Sequence, residues 1–235
     1  MGERAKLWVV FGTVTVDFIG FGIIIPLLTR YAEDFGAGGI ELGILLMSYS
    51  LMQMIFAPIW GQLSDHFGRR PILLGSIAGN AVALAVAGFA PNFWVLLGAR
   101  ILSGVCTSNV AVAGAYIADV TVATERARGM GMLGAARGIG FVVGPIIGGL
   151  LAPYGLEVPF LAASGLALLN LISAWWLLPE TIHHYARKVR FTFSLRERWN
   201  LFGRTDEFRP LLWLGFVQVV AFAMLEMSFV LFIER

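Results

Sequence analysis

A bilayer core about 30 Å thick takes roughly 20 apolar helical residues to cross. Seven stretches of this 235-residue chain meet that demand, at 7–28, 42–60, 72–89, 93–118, 129–151, 159–178 and 210–233. Lipid offers no hydrogen bonds to the backbone, so segments of this length must span it as helices. The breaks between stretches carry turn residues: Ala90-Pro91-Asn92, Pro153-Tyr154-Gly155, and Pro179-Glu180 after the sixth. The expected fold class is an all-α membrane protein, a six-helix N-terminal bundle with a seventh membrane helix after it. Hydrophobic residues make up 58% of the chain and charged residues 14%. Soluble domains run at about 45–50% and about 25%, which excludes a soluble reading.

Charge placement says more than the net charge of +2, which gives nucleic acid nothing to bind. With the N-terminus in the cytoplasm, thirteen Lys and Arg fall on the inner side. They include Arg4, Lys6, Arg69, Arg70, Arg126 and Arg128, and seven more in the loop after the sixth stretch. The outer side receives Arg30 and Arg235, while Arg100 and Arg137 lie within spans. That asymmetry sets the orientation. Three units follow: the bundle at 1–178, a basic cytoplasmic loop at 179–208, and the seventh span at 209–235. The loop's middle, 191–202, mixes aromatic residues with Arg. It suits either a helix on the membrane surface or a basic tether near anionic lipid, with partner binding as a third option. The first apolar stretch reads as a retained span rather than a cleaved signal. Lys6 stands where myristoylation needs Ser or Thr. One cysteine, Cys106, excludes an intrachain disulfide and a cysteine metal cluster. The lysines, Lys6 and Lys188, lie outside the spans, which excludes a retinal Schiff base. No grouping of nucleophile, base and orienting acid supports an enzyme.

The ionisable residues inside spans are the candidates for function, because each costs about 2.5–3.5 kcal/mol at mid-helix on insertion scales. Asp17 lies near the middle of span one, as a proton or cation site or as a hydrogen-bond partner to a neighbouring helix. Arg100, Ser108 and Asn109 share span four with Gly104, Thr107 and Ala111, a small polar stripe that suits a cavity wall. Arg137 in span five either snorkels to the cytoplasm or lines the cavity. Gln218 and Glu226 stand in span seven, the counterpart of span one in a transporter of repeated halves. Glu226 either joins Asp17 at the cavity or reaches the outer interface. In span five, Gly140, Gly144 and Gly148 recur every fourth residue beside Pro145 and Gly149. They open a flat face for a partner helix, expected in the half that this sequence lacks, and Pro145 bends the span.

The turn Gly61-Gln62-Leu63-Ser64-Asp65-His66-Phe67-Gly68-Arg69-Arg70-Pro71 separates spans two and three. Gly61 and Gly68 allow a sharp turn and close helix approach, and Asp65 and Arg69 are spaced to pair. Asp119, at the end of span four, is a natural third member. This order of Gly, Leu, Asp, Gly, Arg and Arg resembles the loop between spans two and three of major facilitator transporters. The stretch Asp17 to Pro26 is similar to the first-span motif of the twelve-span drug/proton antiporters, and Gly140 to Gly149 to the motif marking antiporters. Arg100-Ile101-Leu102-Ser103-Gly104 is similar to the family's Arg-x-x-polar-Gly motif, with Ser103 where Gln is usual. Ala115 to Val120 followed by Glu125-Arg126-Ala127-Arg128 resembles the tetracycline efflux proteins in particular.

The resemblance implies alternating-access export of a small amphipathic drug in exchange for protons, across a bacterial inner membrane. Export of a sugar or metabolite is the alternative, and a non-transporting membrane partner a further one. It implies that Gly61, Asp65, Gly68, Arg69, Arg70 and Asp119 form a cytoplasmic latch of the outward-open state. It implies a role in proton coupling for the Arg100 motif. No cofactor is expected beyond the proton gradient, with magnesium arriving only as part of a drug chelate. Spans eight to twelve are absent from the sequence, so the chain is expected to be a fragment, or a half-size protein that pairs with a second copy.

Overall fold

The computed structural model describes residues 3–107, 109–122, 124–180, 210, 213–217, 220, 221 and 224. The chain divides into two compact units, Met1–Val189 and Arg190–Arg235. In the second, the described residues of 210–224 are helical, and the Trp213 and Phe216 rings meet edge to face. Loop residues 191–202, together with Ser108, Gln218 and Glu226, lie outside the described residues.

The first unit is built of α1 (Glu3–Asp34), α2 (Gly39–Phe67), α3 (Arg69–Gly88), α4 (Phe93–Cys106), α5 (Asn109–Val120), α6 (Arg126–Leu151) and α7 (Glu157–Leu177). Among the described residues these make six segments long and apolar enough to cross a membrane. Helix α1 lies against α6 and α7, α3 against α4 and α7, and α2 against α4. Asn92 caps α4 by accepting the Val95 N–H at 3.1 Å, which explains the turn after Pro91.

Three sequence expectations are corrected. Residues 61–67 are not a loop but the last turns of α2, and Gly68 alone links α2 to α3 at φ 104°. Only that residue needs glycine's freedom. Gly61 is helical, and a side chain there would meet nothing within 4 Å. It therefore serves neither the turn nor a close contact. Span four is also not one helix: α4 stops at Cys106 and α5 starts at Asn109. The carbonyls freed at the break find donors on neighbouring spans, as irregular backbone at membrane depth requires. Trp60 Nε1 donates to the Val105 carbonyl at 2.6 Å, Ser76 Oγ to Cys106 at 2.5 Å, and Gln53 Nε2 to Thr107 at 3.3 Å.

The third correction concerns the glycine face of α6, expected to await a partner outside the chain. It is filled by α1. A Cβ built on Gly144 would lie 2.6 Å from the Gly22 Cα, and one on Gly148 would lie 2.5 Å from the Ile23 carbonyl oxygen. Gly140 meets Phe18 in the same seam, whereas Gly149 faces open space and takes no part. Pro145 sits inside a continuous α6.

Two apolar clusters close the bundle at its ends. One gathers Val10, Val14, Leu73, Tyr116, Ile117 and Leu178 near the α2–α3 link. The other gathers Ile24, Leu28, Leu45, Leu84, Leu96 and Phe160 at the far end. On α1 the buried members of the two clusters are separated by Asp17 to Phe21, so the acid inside that span falls between them.

Candidate functional site: a mid-membrane cavity and its latch

A cavity of about 490 Å³ lies between the two clusters. That is within the range of about 300–1,000 Å³ of small-molecule pockets. Helix α1 contributes Asp17, Phe18 and Phe21, and α2 contributes Tyr49, Ser50 and Gln53. Asn80 comes from α3, Thr107 and Val110 from the break in span four, and Arg137 and Phe141 from α6. The rings touch one another around the wall. Phe141 stands 6.4 Å from Phe18 and 6.0 Å from Phe21, and Phe21 stands 5.3 Å from Tyr49. The Arg137 guanidinium lies over the Phe141 ring at 5.6 Å. Of the two readings of Arg137, the cavity wall is the one the structure shows. Asp17 is the one acid and Arg137 the one base among the described lining residues.

Arg100 is placed differently from the sequence expectation. It is buried and does not line the cavity, because the Tyr49 ring stands over its guanidinium at 4.5 Å. Gly104 makes this arrangement fit. A Cβ there would lie 2.5 Å from the Tyr49 carbonyl oxygen and 2.9 Å from the Met52 Cβ. Helix α4 therefore comes close enough to α2 for Tyr49 to cover Arg100. A guanidinium on an aromatic face keeps part of its electrostatic stabilisation without water. Its buried Nε has no hydrogen-bond partner among the described residues. Asn109 opens α5, with its side chain outside the described residues.

At one end of the bundle Arg69 is the hub of a charge cluster. Its Nη2 pairs with Asp65 Oδ1 at 2.5 Å, its Nε donates to Asp119 Oδ2 at 3.0 Å, and its Nη1 donates to Ser64 Oγ at 2.6 Å. The cluster ties α2, α3 and α5 together. Arg69 itself is buried, while both carboxylates stay partly exposed. Arg70 does not join it. Its Nη2 donates to the Trp175 carbonyl at 2.6 Å, and its guanidinium lies 5.8 Å from the Trp175 ring centre.

Sequence reasoning missed the other half of this corner. Glu180, just past α7, accepts the Arg69 backbone N–H on its Oε1 at 3.0 Å and so caps the N-terminus of α3. Tyr116 donates its hydroxyl to the Pro179 carbonyl at 2.9 Å. The end of α7 is thereby strapped to the charge cluster, a contact across 111 positions. The one local signal was an acid directly after a helix-ending proline. Glu180→Ala is expected to lower stability by about 1.5–3 kcal/mol, the range for a hydrogen bond to a charged group. Unfolding midpoints in SDS would read it, with Glu180→Gln falling between wild type and Ala. Equal midpoints for all three would show that the cap contributes nothing.

The match to known proteins agrees with this geometry. Residues 10–235 match the family model of the Major Facilitator Superfamily. The chain is 43% identical over 184 residues to the class C tetracycline resistance protein of Escherichia coli, covering 77% of this chain and 46% of that protein. It is 28% identical over 209 residues to multidrug resistance protein 2 of Bacillus subtilis, covering 88% of this chain and 50% of the relative. The crystal structure of the human organic anion transporter MFSD10 superposes with a TM-score of 0.71 at 29% identity, over 78% of this chain and 49% of that one. The chain thus spans about half the length of the relatives it matches. With six membrane-length segments among the described residues and a family match over nearly its whole length, it is a multi-pass membrane protein that belongs to the major facilitator superfamily.

Proposed function

We propose that this chain forms one wall and the cytoplasmic latch of a proton-coupled antiporter that exports a small amphipathic, tetracycline-like drug by alternating access. The observation that carries the reading is the mid-height cavity, ringed by aromatic faces and holding one acid, Asp17, and one base, Arg137, among its described lining residues. Aromatic and apolar walls bind a drug-sized body, and a few polar groups orient it. Transport sites lie near the bilayer midplane, and Asp17 stands near the middle of α1. The relatives named for tetracycline and multidrug resistance support the same class of cargo.

In this reading Asp17 exchanges a proton as the drug enters or leaves. Arg100 acts through Tyr49, whose ring stands over its guanidinium. Asp65, Arg69 and Asp119 hold the cytoplasmic side shut and part when it opens. The opposing wall comes from a further six-span half, on the same polypeptide or on a second copy, with 179–208 as the cytoplasmic loop and 209–235 as that half's first helix. The proton gradient is the energy source, and magnesium enters only with the drug as its chelate. The Arg and Lys asymmetry supports an N-terminus in the cytoplasm, and the Escherichia coli relative supports a bacterial inner membrane.

Everted membrane vesicles containing the protein, acidified inside by respiration, provide the test. Adding tetracycline with magnesium is expected to release protons from the lumen in step with drug uptake. Drug uptake that is indifferent to the gradient would refute coupling, and no drug-dependent proton movement would refute the antiporter reading.

A further inference from the structure

Among the described residues, α3 presents a single side chain to the cavity, that of Asn80. It lies roughly 16 Å along the helix from Arg69, at the depth of the bilayer midplane. Its neighbours Ile77, Ala81 and Leu84 are buried in the apolar core. A carboxamide at such a depth is costly unless its polar atoms are used.

Its oxygen is used. The buried Ser103 donates its hydroxyl proton to Asn80 Oδ1 at 2.5 Å. A hydroxyl has one proton to give, so this bond turns the oxygen end of the amide toward α4. Thr107 Oγ1 also stands 3.5 Å from Oδ1, but donates its own proton to the Ser103 carbonyl at 2.7 Å. The two N–H groups on Nδ2 are left over. Among the described residues no acceptor takes them, and Nδ2 is not among the buried unpaired atoms. The other lining amide differs, because Gln53 directs its Nε2 to the Thr107 carbonyl.

We propose that Asn80, oriented by Ser103, is a substrate-reading donor, selecting ligands that carry a carbonyl or enolate oxygen on an aromatic body. The inference rests on the drug-export reading and adds a ligand chemistry to it. The rings of Phe21, Tyr49 and Phe141 accept any flat apolar body. The Nδ2 hydrogens distinguish one with an acceptor oxygen from one without, since a cavity donor left unpaired penalises the wrong ligand.

The test compares two probes on the purified protein in lipid nanodiscs, read by tryptophan quenching. Tetracycline with magnesium carries several acceptor oxygens, and ethidium is a flat cation with none. Asn80→Asp keeps the shape and the acceptor for Ser103 but replaces both donors. It is expected to weaken tetracycline binding by about tenfold and leave ethidium unchanged or tighter. Ser103→Ala keeps the amide but frees its orientation, and is expected to weaken tetracycline by about threefold without affecting ethidium. Misfolding lowers both probes together, so the opposed response identifies the donor role. Equal losses for both probes, or no loss for either variant, would overturn the assignment of Asn80 while leaving the cavity as a drug site. Wild-type protein that binds neither probe would overturn the drug-site reading and this inference with it. Wild-type protein that binds ethidium alone would overturn this inference only.

Discussion

Gly144→Val is expected to prevent α1 and α6 from closing, leaving a protein that inserts but does not pack. A Cβ at that position would lie 2.6 Å from both Gly22 Cα and Gly22 C, and 2.8 Å from the Ile19 carbonyl oxygen. All three are backbone atoms, so no side chain can swing aside and α1 itself must move. Moving α1 opens the seam that Gly140 and Gly148 also share. Overpacking costs about 1–3 kcal/mol where side chains can adjust. With backbone as the obstacle we expect about 3 kcal/mol or more, a melting point lower by roughly 6–12 °C. Gly149→Val is the control, since a side chain there meets nothing within 4 Å. Melting followed by size-exclusion fluorescence is expected to separate the two variants clearly. Equal melting points would show that the seam is looser than these contacts require.

The second large effect is expected at Asp17. Asp17→Asn should reduce coupled export in everted vesicles to the level of membranes without the protein, with expression and melting point close to wild type. The substitution preserves size and the capacity to hydrogen-bond, and removes the ability to release a proton. It therefore separates the two roles that sequence left open. A structural partner to a neighbouring helix survives as Asn, whereas a proton carrier does not. The proposed function gives it the second role. Asp17 lines the cavity at the gap between the two apolar clusters. Normal export by Asp17→Asn would remove this carboxyl from the mechanism. Loss of melting stability with loss of export would return it to a structural role.

The readable parts of the sequence were those set by local chemistry. Proline and asparagine at 91 and 92 end one helix and cap the next. Gly68 takes the positive φ that links α2 to α3, and Asp65 reaches Arg69 one helical turn away. Asp17 and Arg137 were suspect because charge within a span needs a polar setting, and both line the cavity. Arg100 met the same criterion but stands behind Tyr49, since the approach of α4 at Gly104 could not be read from either helix alone. Asn80 and Glu180 were missed for a related reason. Each takes its meaning from a partner on another helix, Ser103 for the first and the Arg69 N–H for the second.

Sequence alone determined the six apolar segments that the described residues show as membrane-length, and the proline, glycine and asparagine residues that separate them. These depend on apolar length and on backbone-restricting residues, both of which lie along the chain. Tertiary structure decided which faces meet: the α6 glycines on α1, the broken fourth span held by α2 and α3, and Tyr49 between Arg100 and the cavity. The physical reason is the solvent. In lipid the outward face of a helix is as apolar as its buried face. Hydrophobic periodicity therefore finds the helices without showing which face packs inward, and that choice falls to close packing and to hydrogen bonds between helices.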